Sequence, residues 1–332
     1  MYLLLQESGI KKLSFYSSVY FKIFAPAMNY PLLLTRPKYM KVTGFSFVKN
    51  ALIYDYPVVE AIQSILPICD NFVVAVGKSD DATLDLIKSI DPAKIIIVET
   101  EWDESLRQGG KVLAEETNKA FAAVPADSDW AFYIQGDEVV HEKYLDTIYE
   151  AMKTCKDQAH IDALLFNYAH FYGSYEYVGA SANWYTNEIR VIKNNKSIYS
   201  FQDAQGFKKG DNKMLNAYPI DAYMYHYGWV KEPAAMQKKQ ENFNKLWHDD
   251  QWVEKNVAAA NEFDYGAHVR ELRKFEGTHP EVMKKRIAEK NWKFDHDISI
   301  DNSSVKDRFK KWLKNKVGID TSYKNYKTVK PR

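Results

Sequence analysis

Apolar residues in this chain fall into short blocks separated by stretches of a different spacing. The run Lys41-Val42-Thr43-Gly44-Phe45-Ser46-Phe47-Val48 opens the series, and residues 71–76, 94–98 and 130–134 repeat its character. Such blocks are rich in β-branched residues and too short for a helix. They predict parallel strands buried on both faces. Between them the apolar spacing changes to three and four. Val58, Val59, Ile62, Ile65 and Leu66 share a helical face. Leu84, Ile87 and Ile90 do the same after a polar start at Ser79, Asp80 and Asp81, and residues 105–124 predict a longer helix. The β-α-β-α-β-α-β order predicts an α/β fold: a doubly wound, mostly parallel sheet with helices on both faces. Sheets of this kind bind ligands beyond the carboxyl ends of their strands. That rule selects residues 77–83, 100–107 and 135–141.

After residue 160 the pattern changes. Residues 163–168, 188–193 and 222–229 predict further strands, joined by aromatic-rich loops. From residue 231 the chain turns polar and helical. Three regions result: 1–39, 40–230 and a helical C-terminal region, 231–332. The first is apolar and aromatic without a period and leads into a second methionine, Met40. It reads either as sequence upstream of a natural start at Met40, or as an extension that packs on the domain or touches a membrane. The last 32 residues, 301–332, hold 10 Lys and Arg against 3 Asp. There Val305, Phe309, Trp312, Leu313 and Val317 fall on one helical face opposite lysines. The pattern suits a helix lying on an anionic membrane surface, and equally one docking its apolar stripe on the body.

Composition narrows the classes. The 332 residues are 46% hydrophobic and 27% charged, with a net charge of +1, so nothing at whole-chain level points to nucleic acid. Cys69 and Cys155 form neither a metal-type spacing nor a disulfide framework, which fits a reducing compartment. No run approaches the roughly 18–20 apolar residues that span a bilayer; the best candidate, 20–34, is broken by Lys22, Pro26 and Pro31. The expected location is cytoplasmic, peripheral on the inner face of the membrane.

The chemistry concentrates in Trp130-Ala131-Phe132-Tyr133-Ile134-Gln135-Gly136-Asp137-Glu138. A buried strand runs straight into two carboxylates, a costly placement unless their charge is offset. A divalent cation carrying a diphosphate offsets it, and Mg2+ or Mn2+ favours such oxygens. Two acids capping a helix that begins near His141 is the alternative.

Residues 40–230 resemble a family 2 glycosyltransferase with the GT-A fold of the nucleotide-diphospho-sugar transferases. Phe47-Val48-Lys49-Asn50 resembles the loop that begins the nucleotide contacts, and Gly77-Lys78-Ser79-Asp80-Asp81-Ala82-Thr83 resembles the Ser-x-Asp-x-Thr turn after the second strand. Arg107, ahead of a helix, and the Asp137-Glu138 pair, akin to the Asp-x-Asp motif, follow in the same order. The resemblance implies donor contacts from Lys49, Asn50, Ser79, Asp81, Arg107, Gln135, Gly136 and Asp137. It departs at Val76 and Gly77, where the family has an acidic pair, and at Gln135, which stands at the first Asp of the motif. It implies a metal held by Asp137 with Glu138, and a late histidine, His226 in Tyr225-His226-Tyr227-Gly228-Trp229, as a further ligand; His170 and His141 are weaker candidates. It also implies an acceptor-side carboxylate as general base, Glu188 or Asp203, although Glu188 also suits an ion pair with Arg190. Tyr172, Trp184 and Tyr185 come from an aromatic stretch suited to sugar rings. The implied partners are a nucleotide-diphospho-sugar donor and a glycan or lipid-linked acceptor, in cell-surface polysaccharide synthesis. A nucleotidyltransferase-like enzyme or an inactive binding protein on the same sheet is the alternative.

Overall fold

The computed structural model describes residues 40–106, 108–182, 184–257, 260–317 and 324–332. The predicted 1–39 extension and Arg107 lie outside the described residues. Strand β1 (Val42–Val48) leads through helix α1 (Val58–Ile65) to β2 (Asn71–Gly77), then α2 (Thr83–Lys88), β3 (Ile95–Thr100), α3 (Lys111–Ala122) and β4 (Trp130–Tyr133). These four strands run parallel in the order β3-β2-β1-β4. The period-two alternation of strands divides their side chains between two cores. Phe72, Val74, Trp130 and Phe132 join Ile62 of α1 on one side. Val73, Ala75, Ala131 and Tyr133 join Val112 and Phe121 of α3 on the other. Helices therefore cover both faces, as the continuous apolar runs require.

The second half adds β5 (Glu138–Val140), α4 (Leu145–Cys155), β6 (Ala163–Tyr172), β7 (Ser174–Gly179), β8 (Asn187–Lys193), β9 (Ile198–Phe201), β10 (Gly206–Lys209) and β11 (Lys213–Trp229). The sheet continues past β4 as β8-β6-β11-β10-β9. Strand β8 runs antiparallel to both β4 and β6, while β6 and β11 are parallel. The architecture is the predicted GT-A-like α/β sheet, mostly parallel on one side and mixed on the other. Beyond it lie α5 (Pro233–Lys245), α6 (Asp250–Asn256), α7 (Tyr265–His268), β12 (Leu272–Lys274), α8 (Lys284–Ala288), α9 (Val305–Trp312) and β13 (Tyr326–Thr328).

Two elements differ most from their predicted extent. The 105–124 helix begins only at Lys111, because Gly109 and Gly110 sit at φ 71° and 68°, in the left-handed region that ends helical continuity. Strand β11 is 17 residues long, with register shifts between Pro219 and Tyr223 and between His226 and Trp229. The second shift follows His226, which is still in register with His170 of β6 and Glu138 of β5. Both cysteines are buried, and no disulfide joins them.

Candidate active site

The carboxyl ends of β1, β2 and β4 open on a cleft of about 490 Å³. It is lined by Lys49, Asn50, Gln135, Gly136, Asp137, Tyr185, Asp203 and His226, all selected from sequence. The loop after β1 is held from beneath. Asn50, at φ 54°, donates its backbone N–H to Ser79 Oγ at 3.0 Å and exchanges two further hydrogen bonds with Asp80. Asp81 Oδ2 accepts from the N–H groups of Leu52 and Ile53, and its Oδ1 accepts from Thr83 N–H. Ser79 and Asp81 therefore brace the loop from outside the cleft, and Asp80 is the carboxylate that lines it. No side chain fits at Gly77, because the Trp102 indole packs over that position and any Cβ would collide with it. Trp102 lies beside Phe47 and under the Lys49 ammonium, and its buried N–H has no partner among the described residues.

The consecutive acids part company. Asp137 faces the cleft. Glu138 is fully buried and meets four donors: Arg190 Nε and Nη2 at 2.9 and 2.8 Å, Tyr168 O–H at 2.7 Å and Gln135 N–H at 3.1 Å. Arg190 is itself buried, between the Tyr133 and Tyr168 rings, and donates to the carbonyls of Ile189 and Gln205. As arranged, Glu138 has no oxygen to offer a cation, a departure from its expected ligand role. Its ion pair takes the place of the anticipated Glu188–Arg190 pair.

Asp137 Oδ2 lies 3.7 Å from His226 Nε2 and 3.1 Å from the Lys239 ammonium of α5. Burial opposes its charge, but Lys239 first and His226 second outweigh that and hold the carboxyl well below its usual range. A hydrogen-bond relay fixes the imidazole. His170 Nε2 donates to the Tyr185 carbonyl at 2.8 Å, so its Nδ1 carries the lone pair. Burial first, and His226 second, bring His170 down to about 3, so it stays neutral. His226 Nδ1 then donates to His170 Nδ1 at 3.1 Å, and its Nε2 is the ring nitrogen turned toward Asp137. Gly228 makes room there: a Cβ would stand 2.6 Å from both Asp137 Oδ2 and His226 Nε2. Donor set and cradle together fit a divalent cation with two protein ligands, its other positions left for diphosphate oxygens. Among the described residues no cluster of three His, Cys, Asp or Glu forms such a site.

The candidate bases also separate. Asp203 stands in the β9–β10 turn between Gln202 and Ala204, both at positive φ, and lines the cleft with a carboxyl that burial raises. Glu188 lies in β8, away from the cleft, accepting from Gln205 Nε2 at 2.8 Å and Asn325 Nδ2 at 3.3 Å; burial pushes it up to about 7. Of the aromatic trio, Tyr185 alone faces the cleft. Tyr172 is buried with its O–H on the Tyr265 carbonyl, and Trp184 stacks on His170 from outside. Sequence reasoning missed Lys239, Lys231, Trp102 and Tyr56. Lys231, fully buried with its ammonium on the Asp55 carbonyl, and Lys239 both stand over the Tyr56 ring. Burial brings Lys231 down to about 7.

The cleft thus brings together Asp137, His226 and Lys239, with Asp203 also in its lining. No protein-family model and no curated protein matches the sequence. Among solved structures, S. aureus TarS 1–349 in complex with UDP is 14% identical, with a TM-score of 0.35 over 62% of this chain and 65% of that one. The glucosyl-3-phosphoglycerate synthase from Mycobacterium tuberculosis with Mn2+, uridine diphosphate and phosphoglyceric acid is 15% identical, with a TM-score of 0.27 over 40% of this chain and 43% of that one. The 4-diphosphocytidyl-2C-methyl-D-erythritol synthase from Anaerococcus prevotii is 12% identical, with a TM-score of 0.32 over 58% and 92% of the two chains. Against the longer TarS chain the match spans 39% of its length.

Proposed function

We propose that this chain is a glycosyltransferase moving a sugar from a nucleotide-diphospho-sugar to a hydroxyl of a glycan or lipid-linked acceptor, in the manner of family 2 enzymes. The observation that carries the reading is that Asp137, His226 and Lys239 meet in a cleft that Asp203 also lines. Mn2+ or Mg2+ held by Asp137 and His226 would offset the charge that develops on the departing nucleoside diphosphate. Lys239, already paired with Asp137, is placed to pass its ammonium to a diphosphate oxygen. Trp102 and Phe47 offer a base an apolar platform, Asp80 offers it a hydrogen-bond acceptor, and Gln135 is left to the ribose or phosphates.

Asp203 is the base in this reading. The acceptor oxygen attacks the anomeric carbon, its proton passes to the Asp203 carboxylate, and the bond from that carbon to the diphosphate oxygen breaks. A single displacement of this kind inverts the anomeric centre. Tyr185 and Trp229, which line the same cleft, supply flat faces for the acceptor ring. Glu188 acts at one remove, by orienting Gln205. The nucleotidyltransferase alternative gains no support, since Lys49-Asn50-Ala51 after β1 lacks the glycine cluster of a phosphate loop. A screen of UDP-, GDP- and CDP-sugars with oligosaccharide acceptors, read as nucleoside diphosphate release, tests the proposal. Asp203→Asn should lower kcat about 100-fold or more and keep donor affinity within about twofold. Unchanged turnover in that variant would remove Asp203 as the base.

A further inference from the structure

Helix α9 is fastened to the body by its polar side. Ser304 caps it, accepting from Asp307 N–H at 3.1 Å and donating to Asp307 Oδ2 at 2.7 Å. Asp307, only 7% exposed, takes Arg270 Nη1 at 2.9 Å, and one turn later Lys311 pairs with Glu271. Positions 307 and 311 share a face. The opposite face carries Val305, Phe309 and Trp312, which are 84%, 58% and 52% exposed. The Phe309 and Trp312 rings stack on each other with centroids 5.9 Å apart. Ile298 and Ile300, just before the helix, are 48% and 43% exposed. A helix held by ion pairs with its apolar stripe turned outward reverses the usual arrangement, and a patch of this kind marks an interaction surface.

The charges around the stripe choose the partner. Lys306, Arg308 and Lys316 are exposed beside it, within a segment of 10 basic and 3 acidic residues. A second copy of the chain would bring the same basic rim against itself, which like-charge repulsion opposes. We propose that α9 lies in the surface of an anionic lipid bilayer, with Phe309 and Trp312 at the acyl boundary and the basic side chains among the headgroups. Among the described residues no helix is long and apolar enough to cross a membrane, so the contact is peripheral. The Glu271 carbonyl accepts from Ala180 N–H at 3.0 Å, at the start of the loop that carries Trp184 and Tyr185.

Co-sedimentation with vesicles tests this. Wild-type protein should bind an equal mixture of phosphatidylglycerol and phosphatidylcholine about tenfold or more tightly than phosphatidylcholine alone. The Phe309→Ser/Trp312→Ser and Lys306→Glu/Lys316→Glu variants should each lose about tenfold or more of that binding at an unchanged melting temperature. Equal binding by the variants, or no anionic preference in the wild type, overturns the proposal. So does a dimer that the serine variant dissociates while the wild type ignores vesicles.

Discussion

Glu188 sits in the interior with its carboxylate between the amides of Gln205 and Asn325, and burial raises it from 4.5 to about 7. The sign of the resulting pH dependence follows from linkage. A carboxyl whose folded pKa is raised favours the native state while it is protonated. That contribution is complete below about 4.5 and is lost as pH rises through about 7, to an extent on the order of 3 kcal/mol. Glu188→Gln has no proton to lose. Its melting temperature should therefore gain on the wild type as pH climbs across that window and stay level above it; a difference independent of pH would show that Glu188 does not titrate as described. Asp203 belongs to the same scale of argument, and the sequence left the two carboxylates equal. Strand alternation alone did not say which faced the cleft, because that depends on the β9–β10 turn and on Asn325, 137 residues from Glu188.

Among elements, the short connection from β4 to β5 does the most. Asp137 lies in the turn before β5 and Glu138 opens that strand, so the adjacency that the sequence showed does not put both carboxylates in the cleft. What it did not reveal was the destination of Glu138: Arg190, 52 residues later in β8. Removing one member of a fully buried ion pair strands the other charge. Arg190→Met should lower the unfolding free energy by about 3–5 kcal/mol in denaturant titration, and Glu138→Gln on that background should restore part of it. A loss below about 1 kcal/mol in the single variant would mean the pair is not the lock described here. Strands β1 to β4 were legible because burial on both faces writes continuous apolar runs. The first half of β11 was not, since Pro219 and Asp221 interrupt its pattern. Lys239 had no local signal either. It lies on a polar helix, 102 residues beyond the aspartate it meets.

At the scale of the whole molecule, a parallel half-sheet brings Lys49, Asp80 and Asp137 to the cleft and a mixed half-sheet brings in His226 and Asp203. The C-terminal region closes the arrangement, since α5 delivers Lys239 and α9 carries the outward apolar stripe. The amphipathic pattern of that tail was plain in the sequence, but the face by which it docks was set by Arg270 and Glu271, which no periodicity links to it. The central claim is that Asp137 anchors a cation-borne nucleoside diphosphate, and thermal denaturation with UDP, GDP or CDP, with and without Mn2+, measures it most directly. One nucleotide should raise the wild-type melting temperature when Mn2+ is present, by the equivalent of about 2.7 kcal/mol at a hundredfold excess over Kd, and Asp137→Asn should show no rise. An equal rise in Asp137→Asn, or no rise with any nucleotide in the wild type, would contradict the account.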